Sequence, residues 1–366
     1  MAVRRVDSSV LWPAALIGAL VPLLAAIDPA LRYGHVISSH DPWSQWPLTP
    51  GITLCTLTIL WLYIAGQRPS GTVPSEGLDA LRHLAFFGGV AAVFLALQSP
   101  VEPISDHLFV VHQVEHMLLR TIGPMLLILA MPQAALVRAL PSWIRRHVLT
   151  PLLGSRPLRV LGIFGRPAVA TVVFVGTTYF WMIPRYHDLA ILDEPVHYLW
   201  HTTLLLSGLI FFWRIFDPRP YPLGASITAR IFMFGFAAIG NILLGSYLSF
   251  KHQVLYHAYG EMGRLWAIDP AADERFGGLT MWIPGSMMFA TAAILMVYRQ
   301  ARQEDRNVTR SGITSAMATT ALSRPQPGNR RLAIGLLGGV ATVLFITFAT
   351  VMIYHYSTAH PELAAF

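Results

Sequence analysis

Two histidine pairs, His112-x-x-x-His116 and His197-x-x-x-His201, have the spacing that puts both side chains of a pair on one helical face, one turn apart. Imidazole is the commonest metal ligand, and four of them facing one another would hold an ion. Glu115 shares a face with His112 and His116, where a carboxylate would orient an imidazole by accepting its second N–H. It reads equally well as an interfacial glutamate with a snorkelling stem. Arg120 lies four residues beyond His116, deeper in the same apolar run. A charge at that depth is costly and is expected to be paired inside a bundle, but not against a bound cation. Met182, His187 and Met117 are auxiliary donors, because thioether with imidazole suits the soft ion Cu(I). A methionine in an apolar run is ordinarily packing. The four histidines also admit a reading without metal, as a hydrogen-bonded cluster joining helices.

The elements that must position these groups are membrane helices. A mean hydropathy of +0.52, with 54% hydrophobic and 12% charged residues, lies far from soluble averages. Apolar stretches of bilayer-crossing length recur. They predict an all-α, polytopic transmembrane bundle of nine spans, near 10–28, 48–66, 81–98, 108–131, 167–184, 196–216, 226–250, 278–299 and 331–355. Of 26 Lys and Arg, 20 fall on alternate connections, which sets the amino terminus in the cytoplasm and the carboxyl terminus outside. Twelve of the 14 histidines then lie at or near the outer face, and only His83 and His147 are cytoplasmic. For His35, His40, His355 and His360 an interfacial or capping place suffices.

The net charge of +7 belongs to cytoplasmic arginine collars beside anionic lipid and does not point to nucleic acid. The one cysteine, Cys55, excludes an internal disulfide and any Cys-x-x-Cys site. Arg4 and Arg5 precede the first run as in a signal peptide, but no small-x-small cleavage site follows, so a retained helix is expected. Four parts emerge: a first span and outer loop (1–47), a seven-span core (48–299), a flexible cytoplasmic linker (300–330), and a last span with an outer tail (331–366). The 251–277 connection mixes Tyr256, His257, Tyr259 and Trp266 with acids and is expected to cap the outer end. Asp273 reads as a cap on the eighth span.

His112-Gln113-Val114-Glu115-His116-Met117-Leu118-Leu119 with Pro124 and Met131-Pro132 resembles the first signature of the CtaG-type cytochrome c oxidase assembly factors. Trp181 through Asp188, His197-Tyr198-Leu199-Trp200-His201 and Gly208 through Trp213 resemble the second, and Asp273 through Gly285 the third. Together these cover about 48–299. The resemblance implies a polytopic bacterial inner-membrane protein that matures a haem–copper oxidase, with copper delivery as its task. It carries over His112, His116, His197 and His201 as the matching histidines and Asp273 as the matching acid. The chain departs from the pattern at Met182 (often His), His187 (often Tyr) and Glu274 (often Gln).

Three function classes follow. A copper-handling assembly factor would bind copper at the outer face and pass it to an oxidase subunit, with a periplasmic donor upstream. A membrane b-type cytochrome would use one histidine from each of two helices around a single haem; a spacing of four rules out two haems stacked across the bilayer. A copper transporter would need polar groups through the midplane, where only Arg120, Asn241 and a few hydroxyls occur. Hydrolysis has no support, since no nucleophile–base pair stands out, and no enzymatic role is expected.

Overall fold

A computed structural model describes residues 41–67, 76–151, 155, 162–219 and 224–315. The spans expected at 10–28 and 331–355, and His35, His40, His355 and His360, lie outside these residues. Every described element is helical. Four helices are long and apolar enough to cross a membrane, or up to six if each of two bent pairs counts as one span. The nine expected spans are therefore not reached among the described residues. The chain divides into two units, Met1–Gly285 and Ser286–Phe366, and all the chemistry below belongs to the first.

The order is α1 (Pro50–Ala65), α2 (Glu76–Gln98), the short α3 (Val101–Ser105), α4 (Phe109–Met117), α5 (Gly123–Ala130), α6 (Gln133–Ala139), α7 (Pro167–Trp181), α8 (Pro184–Leu192), α9 (Glu194–Phe216), α10 (Ile227–Phe250), the short α11 (Ala258–Met262) and α12 (Pro270–Ser315). α12 is helical to Ser315, well into the stretch expected as a linker. α1, at 16 residues, is shorter than the four helices long enough to cross a membrane by themselves.

Proline punctuates this architecture. It opens α1, α7, α8 and α12 at their first position, where its missing N–H costs nothing. The two bends have local causes. Met131 takes a left-handed φ of 50° before Pro132, so α4–α5 turns by 71° into α6. Ile183 is held extended by Pro184, so α7 turns by 74° into α8. α4 and α5 are joined by a π-helical turn, Leu118–Ile122, in which the Gly123 N–H reaches back five residues to the Leu118 carbonyl. Pro124 cannot donate to the Arg120 carbonyl, which leaves the standard ladder one bond short here.

α9 packs against this π turn, α5, α7 and α8, and α2 lies against α5. The approach of α9 depends on Gly208, where an added Cβ would run into the Arg120 carbonyl oxygen. Arg120 is buried and paired inside the bundle as expected. Its partner is not a carboxylate: it donates to the Phe174 carbonyl (3.2 Å), with its guanidinium 3.8 Å over the Phe174 ring.

Candidate metal centre

α4 and α9 bring the two histidine pairs together at one end of the bundle. Ring centroids lie 4.1 Å apart for His112–His116, 4.3 Å for His197–His201, 5.1 Å for His112–His197 and 5.4 Å for His116–His201. His112 is fully buried, and the other three are at most 6% exposed. His112, Glu115, His197 and His201 each offer a ligand atom, and these four atoms all lie within 4.8 Å of one another. His116 is outside that foursome but touches it, with its Nε2 2.7 Å from His112 Nε2.

The starts of α4 and α9 fix these positions. Leu108, the residue before α4, has no side chain able to cap. The Asp273 carboxylate instead accepts from the Phe109 and Val110 N–H groups, both at 3.0 Å, and pairs with Arg264. Asp273 thus caps the helix of the first histidine pair, not the one it stands on; α12 is capped by Asp269, which accepts from Ala272 N–H (2.8 Å). The local reading of Asp273 is corrected, because spacing along one helix cannot reveal an acceptor for another. α9 begins under Asp193, whose side chain accepts from Val196 N–H (3.1 Å).

Several polar atoms in this pocket lack a hydrogen-bond partner. Among them are both oxygens of the fully buried Glu115, His201 Nε2 and His197 Nε2; Asp106 Oδ1 and Trp200 Nε1 beside them also have none. Glu115 Oε1 stands 3.3 Å from His201 Nε2 without forming a hydrogen bond. The nearby Ser105 hydroxyl gives its proton to the Glu102 carbonyl (2.7 Å). Burying a carboxylate and two imidazole nitrogens unanswered costs about 1–3 kcal/mol each. A cation held by one atom each of His112, Glu115, His197 and His201 would answer much of that demand, so the residues fit an ion. His197 Nδ1 stands 3.5 Å from Asp106 Oδ1 without forming a hydrogen bond. Burial and the Glu194 carboxylate push Asp106 up to about 8. Burial, Asp106 and Glu194 raise Glu102 well above the usual carboxylate range.

The auxiliary candidates have other contacts. Met182 packs in an aromatic cluster with Phe109, Trp181, Trp200 and Tyr256, and its sulfur meets the Tyr256 hydroxyl at 3.6 Å. Met117 is half-buried at the last position of α4, and no polar contact joins it to the histidines among the described residues. His187 is fully buried on α8, its ring 5.8 Å from His112, with Nε2 2.9 Å from the Tyr259 hydroxyl.

The 251–269 segment covers this end. Glu274 accepts from the Leu255 (3.0 Å) and Tyr256 (2.9 Å) N–H groups and pairs with Lys251. Asp188 accepts from the His257 (3.4 Å) and Ala258 (3.3 Å) N–H groups. His107 Nδ1 meets the Gly263 carbonyl at 2.6 Å. Tyr256 and Tyr259 are thereby fully buried over the histidines. Sequence reasoning placed Glu115 behind the ligands rather than among them, although its i+3 relation to His112 was visible. It assigned no contact to Asp106 or Tyr259, which no spacing signal marks.

Comparison with known proteins gives the family. Residues 61–303 match the family model described as cytochrome c oxidase caa3 assembly factor. Uncharacterized proteins of Mycobacterium bovis and Mycobacterium tuberculosis are each 25% identical over 300 residues, 75% of this chain and 44% of theirs. One of Mycobacterium leprae is 26% identical over 258 residues, 67% of this chain and 38% of its own. The chain thus spans less than half the length of the curated relatives it matches. No solved structure matches. With the family match covering most of its length, the chain belongs to the cytochrome c oxidase caa3 assembly factor family.

Proposed function

We propose that this protein binds a copper ion between α4 and α9 and helps deliver it to a haem–copper oxidase. The observation that carries the reading is the foursome His112, Glu115, His197 and His201, whose ligand atoms lie within 4.8 Å while several lack any other partner. Imidazole and carboxylate donors suit divalent copper and also admit Cu(I). The Met182 sulfur, turned to Tyr256, is not needed as a ligand.

In the proposed orientation the protein sits in the bacterial inner membrane with the histidine end outward, where a periplasmic donor and an oxidase copper domain would meet it. The positive-inside bias supports that orientation. A position at one end suits a transfer station better than a transport path. Arg120, one turn below His116, would repel a cation moving deeper. The packing favours an ion over a haem: the Trp200 ring lies 4.8 Å from His112 and 4.4 Å from His116, filling the space a macrocycle needs.

Elemental analysis and an optical spectrum of the purified protein test this together. About one copper per chain and no haem band are expected, and changing His112 and His201 together to alanine should abolish binding with the helical fold intact. Full copper affinity in that double variant, or a haem band in place of copper, overturns the assignment. Cells lacking the protein should keep their oxidase polypeptides but lose oxidase copper, and normal copper occupancy there rejects delivery.

A further inference from the structure

The Tyr259 hydroxyl lies 3.1 Å from His112 Nδ1 and 2.9 Å from His187 Nε2, and all three residues are fully buried. Tyr259 comes from α11, 147 residues along the chain from His112. Its ring is backed by the Arg264 guanidinium, 5.6 Å from the ring centroid, and Arg264 is tied to Asp273 at the cap of α4. The hydroxyl is therefore held against His112 from both sides.

His112 has two ring nitrogens and two neighbours. Nε2 is 2.7 Å from His116 Nε2, a gap that one proton must occupy unless an ion replaces it. Nδ1 faces Tyr259. A neutral imidazole carries one proton and offers one lone pair, and the partner at one nitrogen decides the state of the other. For His112 to present a lone pair from Nε2, the nitrogen beside His116, its proton must sit on Nδ1.

We infer that Tyr259 is the positioning residue of the metal centre: it selects the His112 tautomer that binds, and His187 is its anchor rather than a ligand. The His112 Nδ1–H donates to the Tyr259 oxygen, and the Tyr259 O–H donates to His187 Nε2. The relay uses each proton once and leaves His112 Nε2 free for the ion. It gives His187, which otherwise stands apart from the foursome, a defined task. It also links the 251–269 segment to the ligands, so lifting that segment would withdraw Tyr259 and weaken the centre. This inference rests on the copper reading above, and the test separates the two.

Nitrogen-15 histidine spectra of the metal-free and Cu(I)-loaded protein report which nitrogen carries the proton. Cu(I)-loaded wild type should show His112 protonated at Nδ1 and bound through Nε2. Tyr259→Phe keeps the ring and removes the hydroxyl. It should shift metal-free His112 toward the other tautomer and weaken Cu(I), measured against a chromogenic chelator, by roughly 10–100-fold. Tyr256→Phe deletes a hydroxyl that donates to the Met182 carbonyl (3.0 Å) in the same segment, and should leave both readouts unchanged. Binding of Cu(I) by His112 Nδ1 in wild type overturns the inference without any variant. So does a Tyr259→Phe protein with unaltered tautomer and affinity. A wild type that takes up no copper overturns the metal reading, and this inference falls with it.

Discussion

The two ends of α9 bury polar side chains in opposite ways. At its last turn, Asp217 gathers charge and spends it: one carboxylate accepts from Arg214 (3.1 Å) and doubly from Arg219 (2.8 and 2.9 Å). Arg230 reaches across from α10 to the carbonyls of Ala225, Ile215 and Asp217, at 3.1, 2.9 and 2.8 Å. Only Arg214 Nε is left over in that knot. At its first turns, His197 and His201 meet Glu115 and His112, and four polar atoms of that group go without a hydrogen bond. A cluster whose task is to join helices satisfies its own donors and acceptors, as the arginine end does. The histidine end leaves both Glu115 oxygens and the Nε2 atoms of His197 and His201 unanswered, a costly arrangement unless something else fills the demand. The difference supports the proposed binding site over polar glue, the two readings the four histidines allow on spacing alone.

The largest effect is expected at the arginine end. Asp217→Asn leaves buried guanidiniums without their carboxylate, and removing one partner of such a network costs about 3–5 kcal/mol. Thermal unfolding in detergent should show that loss, while copper affinity of the folded fraction stays put. A stable Asp217→Asn protein would erase the contrast between the two ends.

Glu115→Gln should do the reverse. The amide keeps the shape and removes a buried charge with no hydrogen-bond partner, so metal-free stability holds or rises by about 1 kcal/mol. Copper affinity falls at least roughly tenfold, since a tenfold change needs only about 1.4 kcal/mol of lost ion–carboxylate interaction. Calorimetric unfolding with and without copper measures both. A destabilised variant with wild-type affinity would make Glu115 part of the glue.

What the sequence made legible follows from helical period. The i, i+4 pairs had to share faces, and Glu115 had to stand beside His112. The family strings marked the same four histidines, but neither they nor the spacing could make the two helices neighbours. Arg120 was readable as a paired intramembrane charge, but its partner, a carbonyl freed from no local pattern, was not. Bends were harder. Met131-Pro132 and Ile183-Pro184 are visible in the chain, yet nothing local says that each turns a span by more than 70° and not merely ends it. Contacts between distant segments left no trace at all. Tyr259 reads as an interfacial aromatic until its hydroxyl is found on His112. Asp269 and Asp273 are indistinguishable as caps of their own helix until one of them is seen on Phe109 and Val110.

That last pair gives the smallest and most discriminating test. Asp273→Asn keeps one oxygen for the α4 N–H groups, loses the second, and gives up the charge pair with Arg264. Loss of a helix cap costs about 1–2 kcal/mol, less than the collapse expected at Asp217. His112 sits only three residues beyond Phe109, so a frayed first turn lets its ring wander, and copper affinity should drop severalfold along with stability. The coupled loss distinguishes Asp273 from both extremes: Asp217→Asn moves stability alone, and Glu115→Gln moves affinity alone. Asp269→Asn, which touches only the start of α12, serves as the comparison and should leave copper binding unchanged. If the two aspartate variants behave alike, the cap on α4 does not position the centre, and the histidine end draws its order from α9 and the 251–269 segment instead.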